Sequence, residues 1–437
     1  MKRNRNTAVI VSSLFMGLGQ LYNRQIMKGF ILLVIEAAAL AYFIPNLADA
    51  LWGIITLGEV TMRMEKVDGL TQMMPGDHSI FLMIEGLIVI LAFIIFIIIY
   101  GMNIRDAYRT GASRDEGMEP ASFKQSLNHM RNNHFPWLML SVPALGILFL
   151  TVLPIIFMVL LSFTNYSMPN NIPPAKLVDW VGFQTFVDLL TLKTWSKTFF
   201  GVFLWTVIWA VTATVTCYFG GLLVALLIEQ KGIRFKKLWR TIFILPYAIP
   251  QLISLLVMRN LFNGQFGPIN DYLAMFGLGK LPWLTDPNLA KLTAIVVNMW
   301  VGIPVSMVLI MGVLTAIPRD LYEAADVDGA SAFQKFRIVT LPFVLFATAP
   351  ILITQFAGNI NNFNLIFLLT NGDPKEGAYQ FAGSTDLLVT WLYKLTLNQS
   401  QYNMASAIGI IIFVLIASIS IFNYRRTKSF KEEDMIQ

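Results

Sequence analysis

The sequence predicts an all-α polytopic membrane protein with about eight transmembrane helices. Three observations carry that prediction. Of its 437 residues, 56% are hydrophobic and only 13% are charged, where a soluble domain carries roughly 25% charge. The mean hydropathy is +0.63, and several apolar runs approach or exceed the ~20 residues a helix needs to cross a bilayer. Lys and Arg also concentrate on alternate connections between those runs.

The expected spans are 29–48, 80–101, 137–163, 199–228, 242–262, 291–316, 343–368 and 403–423. The connections 1–28, 102–136, 229–241, 317–342 and 424–437 carry 22 of the 32 basic residues, and the opposite loops carry 8. Basic residues mark the cytoplasmic side, so both termini are expected inside. The same count accounts for the net charge of +6 without nucleic acid.

Residues 7–22 (TAVIVSSLFMGLGQLY) are too short to cross, and crossing would carry Lys2, Arg3 and Arg5 outside. An interfacial or re-entrant segment is expected there. No cleavable signal is expected after the charged start, because Gln20, Asn23, Arg24 and Lys28 interrupt the apolar run. Cys217 is the only cysteine, so no intrachain disulfide forms, and His78, His129 and His134 lack metal-ligand spacing. No metal site and no catalytic residue is expected. The intramembrane acids Glu36 and Glu85, with Arg259 near an outer boundary, fit structural pairing or interface placement better than a proton path.

The segment 317–342 is polar where its neighbours are apolar. Pro318 suits a helix start, and Asp320 and Glu323 fall in the first turns, where acids favour the dipole. Gly329 suits a left-handed helix end. Ser331 with Gln334 forms a capping-box pattern for a second helix, on which Phe333 and Phe336 share a side. Leu341-Pro342 opens the next span.

Two intramembrane stretches are also unusual. Residues 297–305, VNMWVGIPV, carry Gly302 and Pro304, expected to break the helix and free carbonyls. Residues 355–364, QFAGNINNFN, hold five amides in ten residues, with Gln355, Asn359 and Asn362 expected on one helical face. Amides suit a neutral, hydroxyl-rich ligand because they need no countercharge. Interhelical hydrogen bonding uses the same side chains.

The order Glu-Ala-Ala, three residues, Gly, nine residues, Ile, one residue, Leu-Pro resembles the coupling segment of ABC importer permeases. Here Glu323, Ala324, Ala325, Gly329, Leu341 and Pro342 match, and Val339 replaces the Ile. The pieces LPYAIPQLIS (245–254), NGQFGPIN (263–270), PWLTDP (282–287), VNMWVGIP (297–304), INNFNLIFLLTNGDP (360–374) and STDLLVTWLYK (384–394) resemble the larger membrane subunit of maltose and maltodextrin importers. GLGQLYNRQIMKG (17–29) looks like the version found in single-membrane bacteria, which lacks the large extracytoplasmic insertion.

The resemblance implies a type I importer permease. Residues 1–136 would form an N-terminal interfacial segment, two leading spans and a connector. Residues 137–423 would form a six-helix core with its coupling helix at 318–331, and 424–437 a cytoplasmic tail. Glu323, Ala324, Ala325, Asp328, Gly329, Leu341 and Pro342 would couple to the ATPase. Asn298, Val301, Gly302, Val305, Gln355, Gly358, Asn359 and Asn362 would line the sugar site. At Val305 and Gly358 the family carries aromatics, so a wider cavity accepting longer or bulkier sugars is expected.

No phosphate loop of the GxxxxGK[ST] type occurs. ATP and Mg would therefore be bound by a partner, and no cofactor by this chain. The implied partners are a second homologous permease subunit, two cytosolic ATPase subunits, an extracellular sugar-binding protein, the oligosaccharide and membrane lipid, with no nucleic acid. Maltodextrin is the favoured sugar, and galacto-oligosaccharides and other glucans are alternatives. The competing classes are an ion-coupled secondary sugar carrier acting alone and a non-transporting membrane scaffold. The coupling-segment spacing argues against both, and the asparagine-rich stretch against the scaffold.

Overall fold

The computed structural model describes residues 3–67, 70–172, 176–230 and 232–426. Residues 427–437 of the expected tail, with Met1 and Lys2, lie outside the described residues. The chain divides into two compact units, Met1–Gly182 and Phe183–Gln437.

The first unit begins with α1 (Arg3–Leu14) and α2 (Leu18–Tyr22), followed by the long helix α3 (Ile26–Thr56). A two-stranded hairpin, β1 (Arg63–Val67) with β2 (Leu70–Met74), interrupts the otherwise helical chain. Then come α4 (Ser79–Asp115), α5 (Phe123–Asn133), α6 (Phe135–Ile147), a π-helical turn at Leu148–Val152 and α7 (Leu153–Leu161). At 12 residues, α1 is only about 18 Å long, too short to span. It is held against α4 instead: Ser12 donates to Asn103 Oδ1 at 3.3 Å and the Asn4 N–H to Asp115 at 2.9 Å. The following helices add to this, as Gln20 of α2 donates to the Asn103 carbonyl at 3.1 Å and to Asp106 at 3.0 Å, and Lys28 of α3 pairs with Asp106 at 2.6 Å. Glu36 accepts from the Met16 backbone N–H. That contact is structural, in line with the pairing expected for this acid.

The second unit contains α8 (Gln184–Thr191), α9 (Lys193–Glu229), α10 (Lys236–Ala248), α11 (Gln251–Leu261), α12 (Pro268–Met275) and α13 (Pro287–Ala316). It continues with α14 (Arg319–Val327), α15 (Ala332–Lys335), a π-helical turn at Phe336–Thr340, α16 (Leu341–Ile360) and α17 (Phe363–Leu369). It closes with α18 (Leu388–Tyr393), a second π-helical turn at Lys394–Asn398 and α19 (Tyr402–Arg426).

Among the described residues, seven helices are long and apolar enough to cross a membrane, or eight if the bent pair α10–α11 counts as one span. Each coincides with an expected span. The fifth differs in shape: 242–262 is bent by 91° between Ala248 and Gln251. Pro250 lacks an N–H and forces Ile249 into an extended conformation, so the helix cannot run through.

Helix α9 is the spine of the second unit. Phe199, Val202 and Ala210 enter one buried apolar cluster, Trp205 and Trp209 a second, and Tyr218, Leu222 and Ala225 a third. Its glycines bring it very close to α13. A Cβ at Gly221 would lie 2.5 Å from Ser306 Cβ, and one at Gly220 would lie 2.7 Å from Ile303. Such small-residue contacts are how helices associate where lipid removes the hydrophobic drive.

Candidate functional site

The expected break at Gly302 and Pro304 does not occur, because α13 runs unbroken from Pro287 to Ala316. Pro304 removes a single backbone donor, that for the Trp300 carbonyl, and its buried ring is held by neighbouring helices. Gly302 has a packing reason instead. A Cβ there would sit 2.5 Å from Cys217 Sγ on α9.

The break comes in the asparagine-rich stretch. Helix α16 ends at Ile360, and Asn362 caps α17 by accepting from the Leu365 N–H at 3.4 Å. The seventh expected span is therefore two helices, and Asn362 does not share a helical face with Gln355 and Asn359. Asparagine readily leaves the helix because its side chain competes for local backbone groups.

The eight expected sugar-site positions divide into two groups. Asn298, Asn359 and Gln355 are turned into helix–helix contacts. Asn298 donates to Cys217 Sγ at 3.2 Å, and Asn362 donates to Asn298 Oδ1 at 3.4 Å. Asn359 donates to Thr214 Oγ1 at 3.0 Å, and its carbonyl accepts from Trp209 Nε1 at 3.1 Å. Gln355 reaches Ser306 Oγ at 3.2 Å. Gly302 belongs with this group through Cys217. Val301 is half-buried, whereas Val305 and Gly358 are exposed, and a Cβ on Gly358 would meet nothing within 4 Å.

Two further polar side chains near Gly358 are exposed: Thr354, four residues before it on α16, and Asn361, just past the helix end. Their spacing from Gly358 was a signal in the sequence. The amide count hid it by drawing attention to Asn359. The buried partners Thr214, Cys217 and Ser306 carried no such signal, since only the approach of α9 and α13 defines them. Chemically, the cluster is rich in exchangeable polar contacts. A cysteine sulfur is a weak acceptor, so Asn298 gives up little by turning to a hydroxyl.

The coupling segment follows its local sequence chemistry closely. Helix α14 starts after Pro318 and ends in a left-handed Gly329, φ 72°. The Ala330 N–H bonds the Ala325 carbonyl at 2.9 Å and the Gly329 N–H bonds that of Asp326 at 3.1 Å, the paired pattern of a Schellman end. Ser331 and Gln334 form the reciprocal capping box. The Phe333 and Phe336 rings lie 6.5 Å apart.

Glu323, Ala324, Asp328, Gly329 and Pro342 are exposed, and Ala325 and Leu341 are half-buried. Val327 is 87% and Phe333 69% exposed, which leaves an apolar surface beside Glu323. The segment is tied to the helix above it. The Tyr322 hydroxyl meets Thr340 Oγ1 at 2.9 Å, and Lys335 pairs with Asp326. Val339, like Tyr322 and Leu341, packs against the third apolar cluster. From Ala332 to Ile360 the chain is one 29-residue helical rod, about 43 Å long. It joins the coupling turn to Gln355, Gly358 and Asn359.

Residues 217–429 match the family described as binding-protein-dependent transport system inner membrane component. The chain is 43% identical over 433 residues to the galactooligosaccharides transport system permease protein GanP of Bacillus subtilis (strain 168), covering 99% of this chain and 100% of that one. It is 36% identical over 445 residues to the maltodextrin transport system permease protein MdxF of the same organism, covering 100% and 98%. It is 42% identical over 253 residues to the maltose/maltodextrin transport system permease protein MalF of Salmonella typhimurium, covering 57% and 49%. A bacterial alginate ABC transporter crystallised with its pentasaccharide-bound periplasmic protein shares the fold, with a TM-score of 0.56 and 23% identity over 68% of this chain and 96% of that one.

Proposed function

We propose, from the premise that this chain belongs to the permease subunits of binding-protein-dependent ABC sugar importers, that the polar cluster between α9, α13 and α16 is its oligosaccharide pathway. As a member of that family it is a multi-pass membrane protein, a non-catalytic subunit with no cofactor of its own. It works with a binding protein and with ATPases.

The observation that carries the pathway reading is the Asn362–Asn298 bridge at 3.4 Å beside the open surface at Gly358. Neutral amides held by replaceable partners flank a face with room for a ligand. Asn298, Val301, Val305, Gln355, Gly358, Asn359 and Asn362 would contact sugar as α13 and α16 separate, with Gly302 setting how far α13 can move from α9. The exposed Thr354 and Asn361 extend the surface.

Coupling would run through the α14 docking surface. Glu323 offers a charge, Ala324 and Ala325 permit close approach, and Asp328 and Gly329 form the turn. An ATPase closing on this surface would push the rod that begins at Ala332 and reaches Asn359, past Leu341 and Pro342. A second permease subunit, two ATPase subunits and cytoplasmic termini complete the proposed assembly, with 137–423 as the core. An ion-coupled carrier acting alone is disfavoured by membership of the family.

For the sugar, the 43% identity over the whole chain to a galacto-oligosaccharide permease supports galacto-oligosaccharides first. Maltodextrin, which the sequence pieces favour, is the second reading, supported by the 36% relative. Competition for uptake between galacto-oligosaccharides and maltodextrins of matched length, in vesicles holding the complete importer, separates the two. Stronger competition by the galactose series is expected, and stronger competition by maltodextrin reverses the order.

A further inference from the structure

The loop 369–402 is a small folded body, and it holds a cleft of 510 Å³ that the pathway does not use. This size lies inside the range of about 300–1,000 Å³ typical of small-molecule sites. The charge count puts the loop on the outer face.

Its floor is rigid. The wholly buried Asp386 accepts from Lys394 Nζ at 2.7 Å, Thr390 Oγ1 at 2.8 Å and the Gly383 N–H at 2.7 Å. Trp391 Nε1 holds the Gln380 carbonyl at 2.9 Å. The rim is strained at Phe381, which adopts left-handed backbone at φ 57°, whereas Asn371 at φ 53° is of a residue type that tolerates it. A bulky residue in that region is a genuine outlier, and such strain gathers at ligand-holding sites.

The wall chemistry is selective. Among the described residues, the side-chain amides of Asn371, Asn398 and Gln399 have no hydrogen-bond partner, although each lines the cleft. Tyr379 and Phe381 add aromatic surface. Asp373 and Glu376 face Lys375 and Lys394, and Lys394 is already neutralised by Asp386. No surplus positive charge is left for an acidic sugar.

We propose that this cleft is an outer sugar-binding site that takes the end of a neutral oligosaccharide before it reaches the membrane pathway. Unpartnered amides receive the hydroxyls, the rings cover the apolar face of a pyranose, and the rigid floor keeps the site formed when empty. The inference rests on the oligosaccharide reading above.

The test uses the importer complex purified around the full chain in nanodiscs, without its binding protein. Labelled galacto-oligosaccharide, maltodextrin and an oligouronate of equal length are the probes. Gly377→Trp places a large side chain at the cleft wall, where a Cβ meets nothing within 4 Å. Asn398→Ala with Gln399→Ala removes two of the unpartnered amides, one exposed and one half-buried. Both variants should weaken neutral-sugar binding about tenfold, the loss of one or two net hydrogen bonds, and the oligouronate should bind weakly throughout. Unchanged neutral-sugar binding in both variants overturns the proposal. So does loss of ATPase stimulation by the binding protein with sugar binding intact, because the cleft would then dock a protein. A complex that neither binds nor transports any oligosaccharide overturns this proposal and the pathway reading together. Normal transport with cleft variants that bind normally overturns this one alone.

Discussion

Asn362 donates its side-chain amide to Oδ1 of Asn298 at 3.4 Å, joining the cap of α17 to the flank of α13. The contact crosses the point where α16 ends, so it changes whenever α13 and α16 move apart. The two residues should therefore behave as one unit. Asn298→Ala and Asn362→Ala should each lower uptake, and the double variant should be no worse than the poorer single. A cycle on uptake rates should give a coupling of about 1 kcal/mol, ordinary for residues in contact. Additive losses would show that the pair acts independently.

Gly302 is held against Cys217 too tightly for a side chain. Gly302→Ala should destabilise the solubilised protein by ~1–3 kcal/mol, the usual cost of overpacking. Adding Cys217→Ala removes the clashing sulfur and should restore much of the loss. Thermal unfolding of the three variants reads this directly. An unchanged midpoint for Gly302→Ala would mean that α9 and α13 are further apart.

Gly329 has open space around it but a positive φ. Its substitutions act through backbone strain alone, about 1–2 kcal/mol for an ordinary L-residue in that region. Gly329→Val should lower the sugar moved per ATP hydrolysed, and Gly329→Asn, which tolerates the conformation, should retain most of it. Glu323→Ala should lower the same ratio without weakening sugar binding. Full coupling in both Gly329→Val and Glu323→Ala removes the docking role from this turn.

Gly358 opens onto free space on the exposed face of α16. Gly358→Phe starts from a Cβ that meets nothing within 4 Å and would narrow the pathway. Uptake of long oligosaccharides should fall more than uptake of disaccharides. An equal fall at all lengths would detach Gly358 from any control of substrate size.

The sequence made the coupling segment legible almost atom by atom. Its turn, capping box and helix start depend on residues three to five apart, so local chemistry decides them. The positions of the spans were legible from hydropathy, since each depends on its own apolar run, but the bend between α10 and α11 and the end of α16 at Ile360 were not. The orientation of Asn359 was not. Its choice of Thr214 over the open face is made by α9, more than a hundred residues away. The supposed break at Gly302 failed likewise, because close packing on Cys217 sustains a helix that Gly and Pro weaken. Pieces of the 369–402 loop carried the family resemblance, but its folded order was not legible, because it rests on Asp386, Lys394 and Trp391 meeting after folding.

The most direct test of the account is ATP-driven uptake by proteoliposomes containing the complete importer, with labelled galacto-oligosaccharide and the binding protein inside or outside the vesicle. The account predicts uptake that requires ATP on the α14 side and binding protein on the other, and that falls in Asn298→Ala and Asn362→Ala while ATPase assembly is kept. Undiminished uptake in both variants would contradict the pathway assigned to these residues.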